Sequence, residues 1–202
     1  MYNNMPAVRQ AFTRESADAR RADLIEATAA VLAEHGLAGT NVRAICAKAG
    51  VSPGLLRHYF DGIDDLVAAT YQATSDRMDA IFMGAVAAAD DHPRGRLQAY
   101  LTASFRPPVT DPELLGAWTA FWALARSDAR MAAIHAESYA GYRARLRELL
   151  IACHAPDADR LAIMLTAMVD GLWLELSLDA ASFGAEAAAE MLERALAALL
   201  PG

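Results

Sequence analysis

The stretch VRAICAKAGVSPGLLRHYF, residues 42–60, gathers side chains suited to one kind of chemistry. Ser52, Pro53, Gly54 and Leu55 make a small tip, and Arg57, His58 and Tyr59 follow as a basic and aromatic cluster. A serine opening a helix offers its hydroxyl and a backbone N–H to a phosphate. A small or apolar side chain meets a thymine methyl, and arginine or histidine reaches phosphates and base edges. Thr40 and Arg43, just upstream, would face the other side of the same groove. These types in this order suit the major groove of double-stranded DNA, read by the N-terminal residues of one short helix.

Such a contact needs two short helices crossing steeply over a tight turn. Gly50 supplies the residue tolerant of positive φ that the turn requires. Cys46 or Ala47 is small enough for close approach on the inner face. Val42, Ile45 and Ala49 before the turn, with Val51, Leu56 and Tyr59 after it, would lock the angle. Thr40 is expected to cap the first of the two helices, Ser52 to cap the second, and Pro53 to open it, where a missing N–H costs nothing. The bland alternative is an ordinary helical corner with solvated charges.

A second constellation lies in the middle of the chain. Tyr100, Phe105, Trp118, Phe121, Trp122, Tyr139, Met168 and Trp173 are expected to line a pocket between helices, with Asp170 or Glu175 nearby. Core packing explains each of these aromatics singly. As a group beside a carboxylate they suit an organic cation, at about 0.5–2 kcal/mol per ring face. Asp170 could equally cap or pack against a neighbouring helix.

The elements that must position these groups read as all-α, with about nine helices. Alanine is abundant, strand-like alternation is scarce, and glycine and proline fall as helix breaks. Residues 1–15 read as a flexible N-terminal arm. Residues 16–63 read as a three-helix unit, its first helix capped by Ser16 and ended by Gly36. Residues 64–202 read as a larger helical domain opening with a long helix to about Ala89. The segment 161–178 is apolar on most faces. Such a helix is a central core helix of a monomer, or it is covered by a partner subunit. A two-fold pairing through Leu161, Leu165, Leu172, Leu176, Leu192 and Leu196 is the expected dimer interface.

The formal net charge is −7. Residues 1–60 hold seven Lys and Arg against five Asp and Glu, and residues 61–202 hold eleven against twenty. The acidic total argues against non-specific binding to nucleic acid or membrane, while a local basic patch survives because fields decay within about 8 Å at physiological salt. No apolar leader precedes the first helix, and Asp170 and Glu175 interrupt the apolar run 161–178, so a cytoplasmic protein without a membrane span is expected. Cys46 and Cys153 have no metal or redox spacing and are expected to be reduced and buried. The five histidines are scattered, and no GxSxG, HExxH, glycine-rich phosphate loop or CxxC is present. No catalytic residue, metal site or cofactor is therefore expected, and an enzyme is disfavoured.

The motif TNVRAICAKAGVSPGLLRHYF resembles the DNA-binding signature of TetR-type transcriptional repressors. AWTAFWALA around Trp118 and MVDGLWLEL around Trp173 resemble the BetI-like branch of that family. The resemblance implies a homodimer that binds a palindromic operator and releases it on binding a small-molecule effector. The branch points to a quaternary ammonium such as choline. The family resemblance assigns DNA-contact roles to Thr40, Arg43, Ser52, Pro53, Gly54, Arg57, His58 and Tyr59, to which the reading of the tip adds Leu55. The family usually carries a lysine just inside the fourth helix. This chain has Ile63 there, followed by Asp64 and Asp65, which removes a phosphate contact and adds repulsion. A helical ligand carrier or protein-interaction dimer is the alternative, and it leaves the Gly50 turn and the Arg57–Tyr59 cluster unexplained. Arg9, Arg14, Arg20 and Arg21 could compensate for the missing lysine. Deleting residues 1–15 is then expected to flatten the salt dependence of DNA binding, by about 0.9 in slope for each phosphate that the arm neutralises. An unchanged slope removes the arm from the interface.

Overall fold

The computed structural model describes residues 7–179, 181 and 183–200. They form nine α-helices, α1 (Ala7–Gly39), α2 (Val42–Ala49), α3 (Pro53–Tyr59), α4 (Ile63–Ala88), α5 (Pro93–Thr102), α6 (Pro112–Ala125), α7 (Ala129–Ala152), α8 (Ala158–Leu178) and α9 (Ala185–Leu199). A 3₁₀ turn, Ala103–Phe105, prolongs α5. Among the described residues there is no strand.

Two expectations about the first helices are corrected. The backbone is already helical at Ala7, so Ser16 lies inside α1 and does not cap it. Between residues 7 and 16 there is no proline or glycine to stop the helix. Residues 1–6 of the expected arm lie outside the described residues, as do the side chains of Arg9 and Arg14. The second correction concerns Thr40. Its hydroxyl donates back to the Gly36 carbonyl at 2.7 Å, and Asn41 caps α2 by accepting from the Ala44 N–H at 3.0 Å. Gly36 itself breaks the helical path at φ 60°, and one further turn follows it.

Two cores divide the molecule. Leu24, Val31, Ile45, Cys46, Leu56, Phe60 and Leu66 form the smaller one, around α1, α2, α3 and the start of α4. The larger one joins α4 to α9 and takes Leu32 from α1. Helix α4 serves both, because Leu66 enters the small core while its neighbours Val67 and Ala68 enter the large one. Helix α1 also bridges, lying against α6 where Gly116 meets Ala33. A Cβ built at Gly116 would stand 3.0 Å from the Ala33 Cα.

Helix α8 is long and apolar enough, by length and composition, to cross a membrane. Here Leu161, Ala162, Leu165, Thr166, Val169, Trp173 and Leu176 are buried in the protomer's own core. The residues expected at a dimer interface are placed as follows. Leu161, Leu165, Leu176, Leu192 and Leu196 are buried within the subunit, and Leu172 is half-buried against the same core. On these two helices five large apolar side chains remain exposed, Ile163, Met164, Leu174 and Leu178 on α8 and Met191 on α9. Ile163, Ala167, Gly171, Leu174 and Leu178 follow one another at three- and four-residue steps, which puts them on one stripe.

The α1–α6 crossing is expected to tolerate no side chain at Gly116. Gly116→Leu should cost about 1–3 kcal/mol by overpacking. The same substitution at Gly84, where an added Cβ meets nothing within 4 Å, should gain about 0.5–1 kcal/mol of helix propensity. Urea unfolding of the two variants checks this, and equal shifts would remove the constraint from Gly116.

Candidate nucleic-acid interface and ligand pocket

The turn before α3 is closed by the backbone. Gly50 adopts φ 65° and ψ 34°, and the Val51 N–H reaches the Cys46 carbonyl at 3.0 Å. These satisfy the last carbonyls of α2 in the left-handed termination that glycine favours. Ser52 then caps α3, its Oγ accepting from the Leu55 N–H at 3.3 Å, and Pro53 occupies the first turn. Leu56 and Phe60 are buried and hold the helix from behind. The Arg21 guanidinium lies 4.9 Å over the Phe60 ring and closes that side.

The opposite side of α3 faces outward. Ser52, Pro53, Gly54, Arg57 and His58 are exposed, Leu55 is half-buried, and Arg43 on α2 is exposed. Tyr59 is half-buried, packed against the small core, and meets the His58 ring edge-on at 5.1 Å. Thr40 is half-buried with its hydroxyl already engaged. Of the arginines offered as compensation, Arg20 pairs with Asp23 at 3.1 Å and Arg21 covers Phe60.

The position of the missing lysine also has a local account. Ile63 packs against both cores, at the joint between them. Asp65 accepts from Arg130 on α7 at 2.7 Å and from the Asp61 N–H at 3.4 Å. The Arg130 hydrogen bond holds its carboxyl below the usual range, and the pair offsets the repulsion that the bare sequence suggests. Asp64 is exposed.

In the larger domain a cavity of about 250 Å³ opens between α4, α6, α7, α8 and the 3₁₀ turn. Its walls are Ser75, Met78, Asp79 and Phe82 from α4, Ser104 from the turn, Trp118 from α6, Tyr139, Tyr142 and Arg145 from α7, and Thr166, Val169, Asp170 and Trp173 from α8. Of the eight residues expected to line it, the structure brings Trp118, Tyr139 and Trp173 to the wall.

The other five stand elsewhere. Tyr100 is fully buried behind Tyr142, stacked at 5.1 Å, and its hydroxyl donates to the Tyr142 carbonyl. Phe105 is core. Phe121 stacks on Tyr71 at 4.3 Å. Trp122 lies one layer back and donates its indole N–H to the Tyr139 oxygen at 2.9 Å. Met168 is half-buried at the edge of the core. Helical spacing brings Trp118 and Trp122 near one face, but only Trp118 reaches the cavity, and Trp122 is engaged with Tyr139. Ser75, Phe82 and Ser104 were missed, because serines and a lone phenylalanine carry no periodic signal of their own.

Asp170 is the most enclosed of the cavity's acids, which also include Asp76, Asp79 and Glu137. It accepts the Tyr139 hydroxyl at 3.0 Å, which extends the donor chain from Trp122 through Tyr139 to the carboxylate. Burial pushes its pKa up to about 6, while the Tyr139 hydrogen bond and the nearby Arg143 pull it back. The Tyr139 phenol is raised well above its usual range, by burial first and by Asp170 second, so it remains a donor. The mouth carries a paired Arg145 and Asp79, 3.0 Å apart. Behind the wall, the Tyr71 hydroxyl and His135 Nδ1 share a 2.8 Å hydrogen bond, and the His135 ring lies 4.1 Å from that of Tyr139. Burial lowers the His135 pKa, which favours the neutral ring.

Comparison with known proteins agrees with both halves of this geometry. Residues 24–70 match the profile of bacterial regulatory proteins of the tetR family, and residues 93–201 match that of the BetI-type transcriptional repressor C-terminal domain. The chain is 32% identical over 173 residues to the HTH-type transcriptional regulator BetI of Burkholderia thailandensis, covering 85% of this chain and 89% of that one. A solved structure from Pseudomonas aeruginosa PAO1, assigned to transcriptional regulation, superposes with a TM-score of 0.81 at 41% identity and covers 92% of each chain. Another, from Saccharomonospora viridis and in complex with choline, superposes with a TM-score of 0.81 at 15% identity, over 89% of this chain and 96% of that one, which shows the shared fold. With a capped helix-turn-helix unit at one end, a helical domain at the other, and profiles matching each, the chain belongs to the TetR family in its BetI-type branch and is a DNA-binding transcriptional regulator.

Proposed function

We propose that this chain is a homodimeric repressor that holds a palindromic operator and lets it go when a small organic cation enters the cavity beside Asp170. The observation that carries the effector class is a half-buried carboxylate inside an aromatic wall. A cation there gains the Asp170 charge together with the faces of Trp118, Trp173, Tyr139, Tyr142 and Phe82. A quaternary ammonium such as choline belongs to this class. The BetI-type relatives and the choline complex of the S. viridis protein lean the same way.

The DNA-contact set of this reading is Arg43, Ser52, Pro53, Gly54, Leu55, Arg57 and His58, with Tyr59 and Thr40 as partly buried supports. One copy of α3 reads few bases. Two copies related by a two-fold axis read half-sites about 34–36 Å apart. The exposed stripe on α8, with Met191 on α9, suits that pairing, since exposed apolar patches of this kind mark interaction sites. Such a regulator works where the DNA is, in the cytoplasm, and needs no catalytic group.

Coupling between cavity and DNA unit has two parallel members. Helix α4 carries Ser75 and Phe82 in the cavity wall and Leu66 in the small core. Helix α7 is laced to α4 at Asp65–Arg130, Tyr71–His135 and Asp79–Arg145. An effector shifts the operator equilibrium only by its differential affinity for the two arrangements of these helices.

The test is operator affinity, on a duplex selected by the protein from random sequence, with and without saturating choline at fixed salt. A weakening of about tenfold or more is expected, within the range usual for such coupling. Equal affinities would remove choline as an inducer, and recovery of no specific duplex would favour the carrier reading. A second experiment addresses Asp170. Only its ionised form attracts a cation, so binding should be strongest above about pH 6 and weaken as pH falls through that value. The sign for stability is the reverse. A carboxyl whose folded pKa exceeds its ordinary value is a burden when ionised, so the burden is relieved as pH falls below about 6. Asp170→Asn should therefore melt higher than the parent near neutral pH, with the gap closing in acid, and should bind the cation weakly at every pH. A gap that persists in acid would assign the effect to something other than this charge.

A further inference from the structure

Arginines from three helices are gathered near the C-terminal end of α3. Arg57 lies on α3 itself and is exposed. Arg21 of α1 stands 4.9 Å over the ring of Phe60, the residue that caps α3. Arg130 of α7 donates to Asp65 Oδ1 at 2.7 Å. The other oxygen of that carboxylate accepts from the Asp61 N–H at 3.4 Å, on the connector between α3 and α4. One carboxylate thus ties Arg130 to the residue that follows Phe60. Arg21 acts on the same group. The Arg130 hydrogen bond first, and the Asp61 N–H and the Arg21 charge after it, hold the Asp65 carboxyl below its usual range.

Stability is a weak reason for the Arg130–Asp65 pair. Its side chains are 55% and 34% exposed, and ion pairs in that setting contribute little. Charge gives a better reason. The connector and the first turn of α4 carry Asp61, Asp64 and Asp65, with Ile63 among them and no cation. Against these three acids stand Arg21 and Arg57, so without Arg130 the acids outnumber the arginines at the edge of a surface that meets a polyanion. Arg130 makes the numbers even. A guanidinium has five N–H donors, and the hydrogen bond to Asp65 uses one of them. The others suit a phosphate, which arginine grips in a planar fork. Phosphates flank the groove that a recognition helix enters, and contacts to them set the register of the protein on the duplex. We propose that Arg130 is a DNA-phosphate contact supplied from outside the helix-turn-helix unit, aimed by Asp65 at the backbone beside the groove that α3 reads. The contact then belongs to the helix that brings Tyr139 and Tyr142 to the cavity wall.

The test is the salt dependence of DNA binding by the full-length protein, on a duplex that it selects from random sequence and on an unselected duplex. Thermal melting, expected to match the parent for an exposed pair, checks that each variant is folded. Arg130→Ala should lower the magnitude of the salt slope by about 0.9 per bound subunit. It should weaken binding to both duplexes by the same factor, because a phosphate contact carries no sequence information. Arg130→Lys keeps a charge and should retain most of the slope. Arg147→Ala is the control. Arg147 lies about 25 Å further along α7, where it pairs with Asp159, and its loss should leave the slope unchanged. Removing Arg130 also bares the Asp65 charge, and an Asp65→Asn background separates the two effects. There Arg130→Ala should still lower the slope by about 0.9. A slope unchanged by Arg130→Ala overturns the proposal. So does a slope that falls in the parent but not in the Asp65→Asn background, which reduces Arg130 to a neutraliser of Asp65. An equal fall with Arg147→Ala overturns it too, since the effect then belongs to net charge and not to the position of Arg130.

Discussion

Leu66 and Val67 are adjacent on α4, and they go into different cores. Much of the rest depends on that one division. A helix places neighbouring side chains about 100° apart, so a single straight element can be the outer wall of two packed units. Here the first turns of α4 complete the DNA-reading unit, and the turns around Ser75 and Phe82 form one side of the ligand cavity. Both cores therefore include α4 residues. The Ile63 side chain sits at this joint and packs on both cores. An apolar residue there joins the two cores.

The polar groups follow the same frame. Asp65, Tyr71 and Asp79 lie along α4, and their partners Arg130, His135 and Arg145 lie in the same order along α7. The two helices therefore run side by side in the same direction, laced near their starts, at the cavity's rear wall and at its mouth. The outer two pairs are partly exposed, where ion pairs contribute little to stability. Their value is in register. The middle pair is shielded, and its histidine stacks on the tyrosine that holds Asp170. The cavity charge is thus connected through contacts and hydrogen bonds to the helix that enters the DNA unit.

Charge is distributed by the same logic. In a chain of net charge −7, the basic and small side chains at α3 are gathered on one outward surface. Among the acids that follow α3, Asp65 is paired with Arg130. The deepest acid, Asp170, is instead left partly uncompensated. Burial raises its pKa, and only the Tyr139 hydroxyl and the Arg143 charge oppose this. A carboxyl held in that condition costs stability in the empty protein and is best relieved by a cation, which fits the effector class proposed for the cavity.

Local chemistry sufficed for what was legible from residue order alone. Gly50, Ser52 and Pro53 are turn and cap signals that act within a few residues, so the helix-turn-helix unit and its outward face could be read directly. The nine helices follow from breaks at proline and glycine for the same reason. Boundaries blurred where two residues competed for one task. Asn41 took the cap from Thr40 because the Thr40 hydroxyl was already satisfied by Gly36, and Ser16 stayed inside a helix that nothing upstream ended. The cavity was only half legible. Composition and spacing pointed to tryptophans, tyrosines and Asp170, but which ring faces the void depends on how α6, α7 and α8 rotate against one another. That rotation is set by contacts between residues far apart in the chain, such as Trp173 with Ser104 and Tyr139 with Asp170. The same holds for α8. The sequence determined that it is apolar nearly all round, and only the packed structure decided which leucines its own subunit uses and which stripe it leaves uncovered, because burial is a property of neighbours brought together by the fold.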